Sequence, residues 1–264
     1  MEPFRFSSGS TPLLVSMPHV GTGLPDSLAR RMTEAGRALP DTDWHVDRLY
    51  DFSAAAGAGV IRAVTSRYVI DLNRPPDGGA LYPGASNTEL CPLTTFDDAP
   101  IWRPGEGPDA AEVEERRERY WRPYHRALAA ELSRLRERHG IAMLFDAHSI
   151  RSRVSRFFDG RLPDLNLGTG GGITAAGPLI ARLMGVIQEQ QEYGSVLDGH
   201  FKGGYITRAY GRPAERTHAV QLELAQATYM DEDPPYGFRD DLAGRLRPLL
   251  RRLIETMRDW RPEG

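Results

Sequence analysis

Short apolar runs alternate with longer amphipathic stretches along the whole chain. Pro12 to Met17 (PLLVSM) reads as a buried strand that runs at once into Pro18, His19 and Gly21. Gly59 to Val64 and Arg67 to Leu72, both rich in Val and Ile, read as two more strands. Ile141 to Phe145 and Ala219 to Leu224 complete the set. Helices are predicted between them at 26–37, 44–56, 110–139, 174–190 and 239–259. The third is the clearest: Tyr120, Tyr124, Leu128, Leu132 and Leu135 recur at three- and four-residue spacing. Pro123 should kink or interrupt it, and Gly140 should end it. Strand–helix alternation of this kind predicts an α/β fold with a central mixed, largely parallel sheet flanked by helices. With no internal repeat, heptad run or linker, one domain over 1–264 is expected.

Two stretches break the pattern. Residues 75–108, rich in Pro and Gly, read as a long surface excursion, and loops of that length inside a compact domain are often functional. The glycine run 168–172 (GTGGG) lacks G-x-G-x-x-G spacing and reads as a mobile loop.

Composition narrows the function classes. Forty per cent hydrophobic and 26% charged residues are ordinary for a soluble globular protein. The single cysteine, Cys91, excludes an internal disulfide and a zinc site of several thiolates. A net charge of −3 argues against a dedicated nucleic-acid binder. Lys202 is the only lysine among 33 basic residues, a bias that fits genomic coding preference and makes arginine abundance uninformative. No charged leader with an apolar run opens the chain, and no window approaches the roughly 18 apolar residues of a membrane span. A cytoplasmic location without membrane attachment is expected.

In open α/β sheets, ligands collect beyond the carboxyl ends of the strands. His19 follows the first predicted strand. Asn73 and Arg74 follow Arg67–Leu72, and Asp146, His148 and Ser149 follow Ile141–Phe145. Glu223 lies within the last strand, where an ionised side chain must be paired. Asp43, in DTDW, could equally cap the next helix. Cys91 has no assignable base, and G-x-S-x-G, P-loop and H-E-x-x-H motifs are absent. The residues alone describe an α/β enzyme with two histidines and carboxylates able to hold a divalent metal, and they leave the substrate open.

At these clusters the chain resembles the N-formylglutamate amidohydrolase family. The matching stretches include SMPHVGTGLP (16–25), DTDWHVDRLYDF (41–52), SRYVIDLNRP (66–75), WRPYH (121–125) and DAHSIRS (146–152). FFDGRLPDLNLGT (157–169), FKGGYITRAYG (201–211) and HAVQLELAQATYMDE (218–232) extend the match over most of the chain. Departures occur at 154–156 (VSR) and 172–175, away from the candidate residues.

The resemblance implies a fold similar to zinc carboxypeptidases and the hydrolysis of N-formyl-L-glutamate to formate and L-glutamate, late in histidine degradation. It implies Zn²⁺, or another divalent transition metal, on His19, Asp43 and His148, with His45 and Asp47 as alternatives to Asp43. Glu223 would be the catalytic base. Asn73, Arg74, Arg208 and, more weakly, Arg67 would bind a small substrate with two carboxylates, and Asp146 could orient an imidazole. Rival readings are a hydrolase of another N-acyl acidic amino acid and a non-catalytic dicarboxylate binder.

Overall fold

The computed structural model describes residues 2–80 and 87–262. Strand β1 (Phe4–Ser7) leads into β2 (Leu13–Met17), short helices α1 (Asp26–Ala29), α2 (Glu34–Arg37) and α3 (Val46–Leu49), and strand β3 (Gly59–Ala63). Helix α4 (Ala110–Arg116) passes through a π-helical turn, Arg117–Trp121, into α5 (Arg122–His139). Then come β4 (Ala142–Ile150), β5 (Leu165–Gly168), α6 (Gly177–Gln188), β6 (Ser195–Leu197), α7 (Tyr205–Tyr210), β7 (Thr217–Ala225) and α8 (Asp240–Asp259).

The seven strands form one mixed sheet in the order β1-β3-β2-β4-β7-β5-β6. The central β3, β2, β4 and β7 are parallel, whereas β1 and β5 run antiparallel to β3 and β7. This is the predicted architecture of a largely parallel sheet flanked by helices.

Several elements differ from expectation. Arg67–Leu72 is no strand: it folds as buried turns, with Val69 N–H bonded to Ser66 O at 2.9 Å. Tyr68, Val69, Ile70 and Leu72 are buried on every side, so the run lacks the alternation that separates a strand from packed coil. The helix expected at 26–37 breaks in two because Met32 bridges Trp102 and Thr33 N–H bonds Ile101 O at 2.9 Å. Of the helix at 44–56 only α3 forms. A π-helical turn interrupts the helix just before Pro123, and Gly140, at φ 73°, closes α5. Strands β1, β5 and β6 were not foreseen.

Alternation along the central strands divides the sheet chemically. One face carries Val15, Met17, Phe145, Ala147, Val220 and Leu222 into a core with Leu183 of α6 and Leu250 of α8. The other begins apolar, with Leu14, Leu144 and Ala219 packed against Leu128, Leu132 and Leu135 of α5. Toward the carboxyl ends it turns polar: Ser16, Asp146, His148, Gln221 and Glu223 follow, all buried. Among the described residues no helix is long and apolar enough to cross a membrane.

The apolar face anchors the polar one. Leu222→Ala, at a fully buried position directly between Gln221 and Glu223, should cost about 2–5 kcal/mol in urea unfolding through the cavity it leaves.

Candidate metal centre and active site

Strand β2 ends in Pro18 and delivers His19 to the sheet's carboxyl edge. The loop must press against Thr65 there, since a Cβ on Gly21 would lie 2.3 Å from Thr65 O. The DTDW segment docks onto it through Asp43 N–H, which donates to His19 O at 3.1 Å. Helix α3 is headed by His45, so the Asp43 carboxylate caps no helix and turns inward instead.

His19, Asp43 and His148 converge, with one potential ligand atom from each lying within 4.8 Å of the others. Asp43 Oδ2 is 3.0 Å from His148 Nδ1 and 3.7 Å from His19 Nδ1. Ligands about 2.0–2.1 Å from a tetrahedral zinc stand about 3.3 Å apart, so the cluster has the right size, and three ligands leave a fourth position open. The two alternatives to Asp43 are elsewhere. His45 Nε2–H donates to Tyr236 O at 2.7 Å, and the half-exposed Asp47 pairs with Arg62 at 2.5 Å.

Each imidazole is held from behind by a carboxylate. His19 Nε2 is 2.7 Å from Asp71 Oδ1, and His148 Nε2 is 3.0 Å from Asp146 Oδ2. Donation of Nε2–H to these acids leaves both Nδ1 lone pairs facing the centre. Asp146 is itself secured by Ser16, whose hydroxyl donates to Oδ1 at 2.8 Å and lies 3.1 Å from Tyr124 OH. The imidazole that Asp146 meets is thus that of His148. Asp71 was missed because it sits in the run read as a strand.

The electrostatics favour a cation. Four buried carboxylates, Asp43, Asp71, Asp146 and Glu223, face one buried guanidinium, Arg67, and the two imidazoles. Burial disfavours charge on His148, yet Asp146 and Asp43 outweigh it and raise its pKa well above the ordinary value. Burial and Arg67 lower that of His19. Asp71 is held well below the carboxylate range because His19 and Arg67 overcome its burial. Burial pushes the Glu223 carboxyl up to about 8, an effect that a neighbouring metal ion would oppose.

Glu223 is the register partner of His148 on the adjacent strand, and its Oε2 accepts from Gln221 Nε2 at 3.0 Å. Both line a cavity of about 360 Å³, the size of a small-molecule site. Arg67 and Arg74 also reach its wall. Arg67 is engaged: Nη2 donates to Asp71 Oδ2 at 2.6 Å, and the group stands over the Phe96 ring at 4.9 Å. Arg74 Nη2 donates to Thr88 Oγ1 at 2.8 Å. Asn73 is on the wall too, with Oδ1 accepting from Ile206 N–H at 2.8 Å and Nδ2 lying 3.1 Å from His148 Nε2.

Arg208 is not brought to the wall among the described residues. It is exposed on α7, with Nε donating to Gly203 O at 2.9 Å. Lys202, passed over in the sequence, lines the cavity instead, as does His200. The 75–108 excursion contributes Asn87 and Phe96 to the wall, while its residues 81–86 lie outside the described ones. The 168–172 loop is braced rather than loose, for Thr169 N–H donates to Asp198 Oδ1 at 2.7 Å.

Known proteins share this arrangement of chain. A family model described as N-formylglutamate amidohydrolase matches residues 11–230. The chain is 50% identical over 258 residues to an N-formylglutamate deformylase of Pseudomonas putida, covering 98% of this chain and 96% of that one. It is 51% identical over 259 residues to an N-formylglutamate deformylase of Pseudomonas aeruginosa, covering 98% and 97%. The crystal structure of N-formylglutamate amidohydrolase from Ralstonia eutropha JMP134 is similar with a TM-score of 0.80 at 28% identity, over 98% of this chain and 99% of that one.

The carboxylate behind His19 should matter to metal binding. A divalent metal held on this cluster should bind about 10–100-fold more weakly to Asp71→Asn in a competition titration and equally well to His45→Ala.

Proposed function

The chain belongs to the N-formylglutamate amidohydrolase family, and from that premise we propose that it hydrolyses N-formyl-L-glutamate to formate and L-glutamate. The proposal extends to a divalent transition metal, zinc first among the candidates, held by His19, Asp43 and His148, and to a place late in histidine degradation. The observation that carries it is the convergence of two back-supported imidazoles and a carboxylate beside a buried glutamate, in a cavity with cationic walls.

A metal ion bound by these three residues would supply Lewis-acid polarisation of the formyl oxygen and lower the pKa of water toward neutrality. Glu223 takes a proton from water as the water oxygen adds to the formyl carbon. It returns a proton to the amide nitrogen as the C–N bond breaks, releasing formate and the free amine of glutamate. Its position beside His148 on the neighbouring strand supports this role.

Arg74 and Lys202, which both line the cavity wall, are assigned to the two substrate carboxylates. Asn73 serves from the same wall while bracing α7. Arg208 has less support, since it lies off the described wall. A continuous seven-stranded sheet supports reading 1–264 as one domain.

Three measurements test the reading. Chelation should abolish formate release, and added zinc should restore it. Glu223→Gln should lower kcat by about 10²–10⁴-fold while bound metal stays at one ion per chain. N-formylglutamate should turn over faster than N-acetylglutamate; a faster acetyl reaction would reassign the chain to a hydrolase of larger acyl groups.

A further inference from the structure

Glu223 is held at one oxygen by a side chain that is itself held. Gln221 Nε2 donates to Glu223 Oε2 at 3.0 Å, and Gln221 Oε1 accepts from the backbone N–H of Gly204 at 2.7 Å. The second bond decides the first. A carboxamide whose carbonyl oxygen is taken by an N–H has only its NH₂ left to offer the carboxylate. Both side chains are buried on the cavity wall, at 3% and 6% exposure.

The fold makes the arrangement unavoidable. Positions 221 and 223 stand two apart on β7 and share a face. Across the cavity, the segment before α7 comes close because residue 204 is glycine. A Cβ there would lie 2.2 Å from Asn73 Nδ2. Asn73 in turn accepts from Ile206 N–H at 2.8 Å, which pins the same backbone from its other side.

We infer that Gln221 is a positioning residue for catalysis: it fixes Glu223 Oε2 and leaves Oε1 as the atom that takes the proton from water and returns one to the departing nitrogen. This rests on the reading of Glu223 as the general base. The side-chain bonds of Gln221 go to Gly204 and Glu223 and to none of the proposed metal ligands. A carboxylate free to rotate would spend most of its time with neither oxygen on the reacting proton. Misplacement on that scale costs about 100-fold in rate.

The test is a double-mutant cycle on the zinc-loaded protein, following kcat, KM and zinc affinity. Gln221→Met, close in volume but without the amide, should lower kcat about 100-fold with KM and zinc affinity unchanged. Added to Glu223→Gln, the same substitution should cost nothing further. Parental kcat in Gln221→Met would overturn the inference. So would an equal loss in both backgrounds, which marks a general structural role, or a raised KM at unchanged kcat, which marks a substrate contact. Should Gln221→Met fail to fold, Gln221→Ala carries the same cycle. A Glu223→Gln protein running at the parental rate would instead remove the general base itself, a result distinct from a failure confined to Gln221.

Discussion

The structure depends on keeping a cluster of negative charge in a place where water cannot reach it. Asp146 and Glu223 on β4 and β7, Asp43 in the segment before α3 and Asp71 in the 67–72 turns are all buried around one buried guanidinium, Arg67. Ionised groups so placed are costly unless each is paired and hydrogen-bonded. Three of the four have hydrogen-bonded partners, Asp71 in His19 and Arg67, Asp146 in His148 and Ser16, and Glu223 in Gln221, while Asp43 Oδ2 faces Nδ1 of both histidines. The remaining imbalance is what a divalent cation among Nδ1 of His19, Nδ1 of His148 and the Asp43 carboxylate would relieve.

That cost is met by the rest of the sheet. The opposite face is apolar through Val15, Met17, Phe145, Ala147, Val220 and Leu222, and the polar face itself carries Leu14, Leu144 and Ala219 over α5. The same three strands therefore act as core at one end and as chemistry at the other. Because β4 and β7 are parallel neighbours in register, Asp146 aligns with Gln221 and His148 with Glu223. Two short polar pairs, D-x-H and Q-x-E, thereby become a two-by-two array. Each member of the array is flanked by another, which gives the site geometric definition without disulfides.

Much of this was legible and some was not, for identifiable reasons. Alternation exposed the central strands, and polar residues at their ends exposed His19, Asp146, His148 and Glu223. Gln221 carried a readable signal that went unused, since a polar residue two before Glu223 in an otherwise apolar strand must share its face. Asp71 carried none, because RYVIDL is apolar enough to pass for a strand and only packing reveals a turn. Lys202, just before α7, and Arg208, on α7, lie close along the chain, and nothing in spacing says which of the two cations faces inward.

By itself, the sequence determined the sheet-and-helix architecture, the family, and the residue types able to bind a metal ion, because periodicity and motif are properties of neighbours along the chain. Only the tertiary structure decided that Asp43 rather than His45 or Asp47 meets the histidines, that Asp71 stands behind His19, and that Gly204 reaches Gln221. Those contacts join segments separated by tens of residues. They exist because β2, β4 and β7 lie side by side and the loops between them close over one edge, and separation along the chain carries no trace of distance in space.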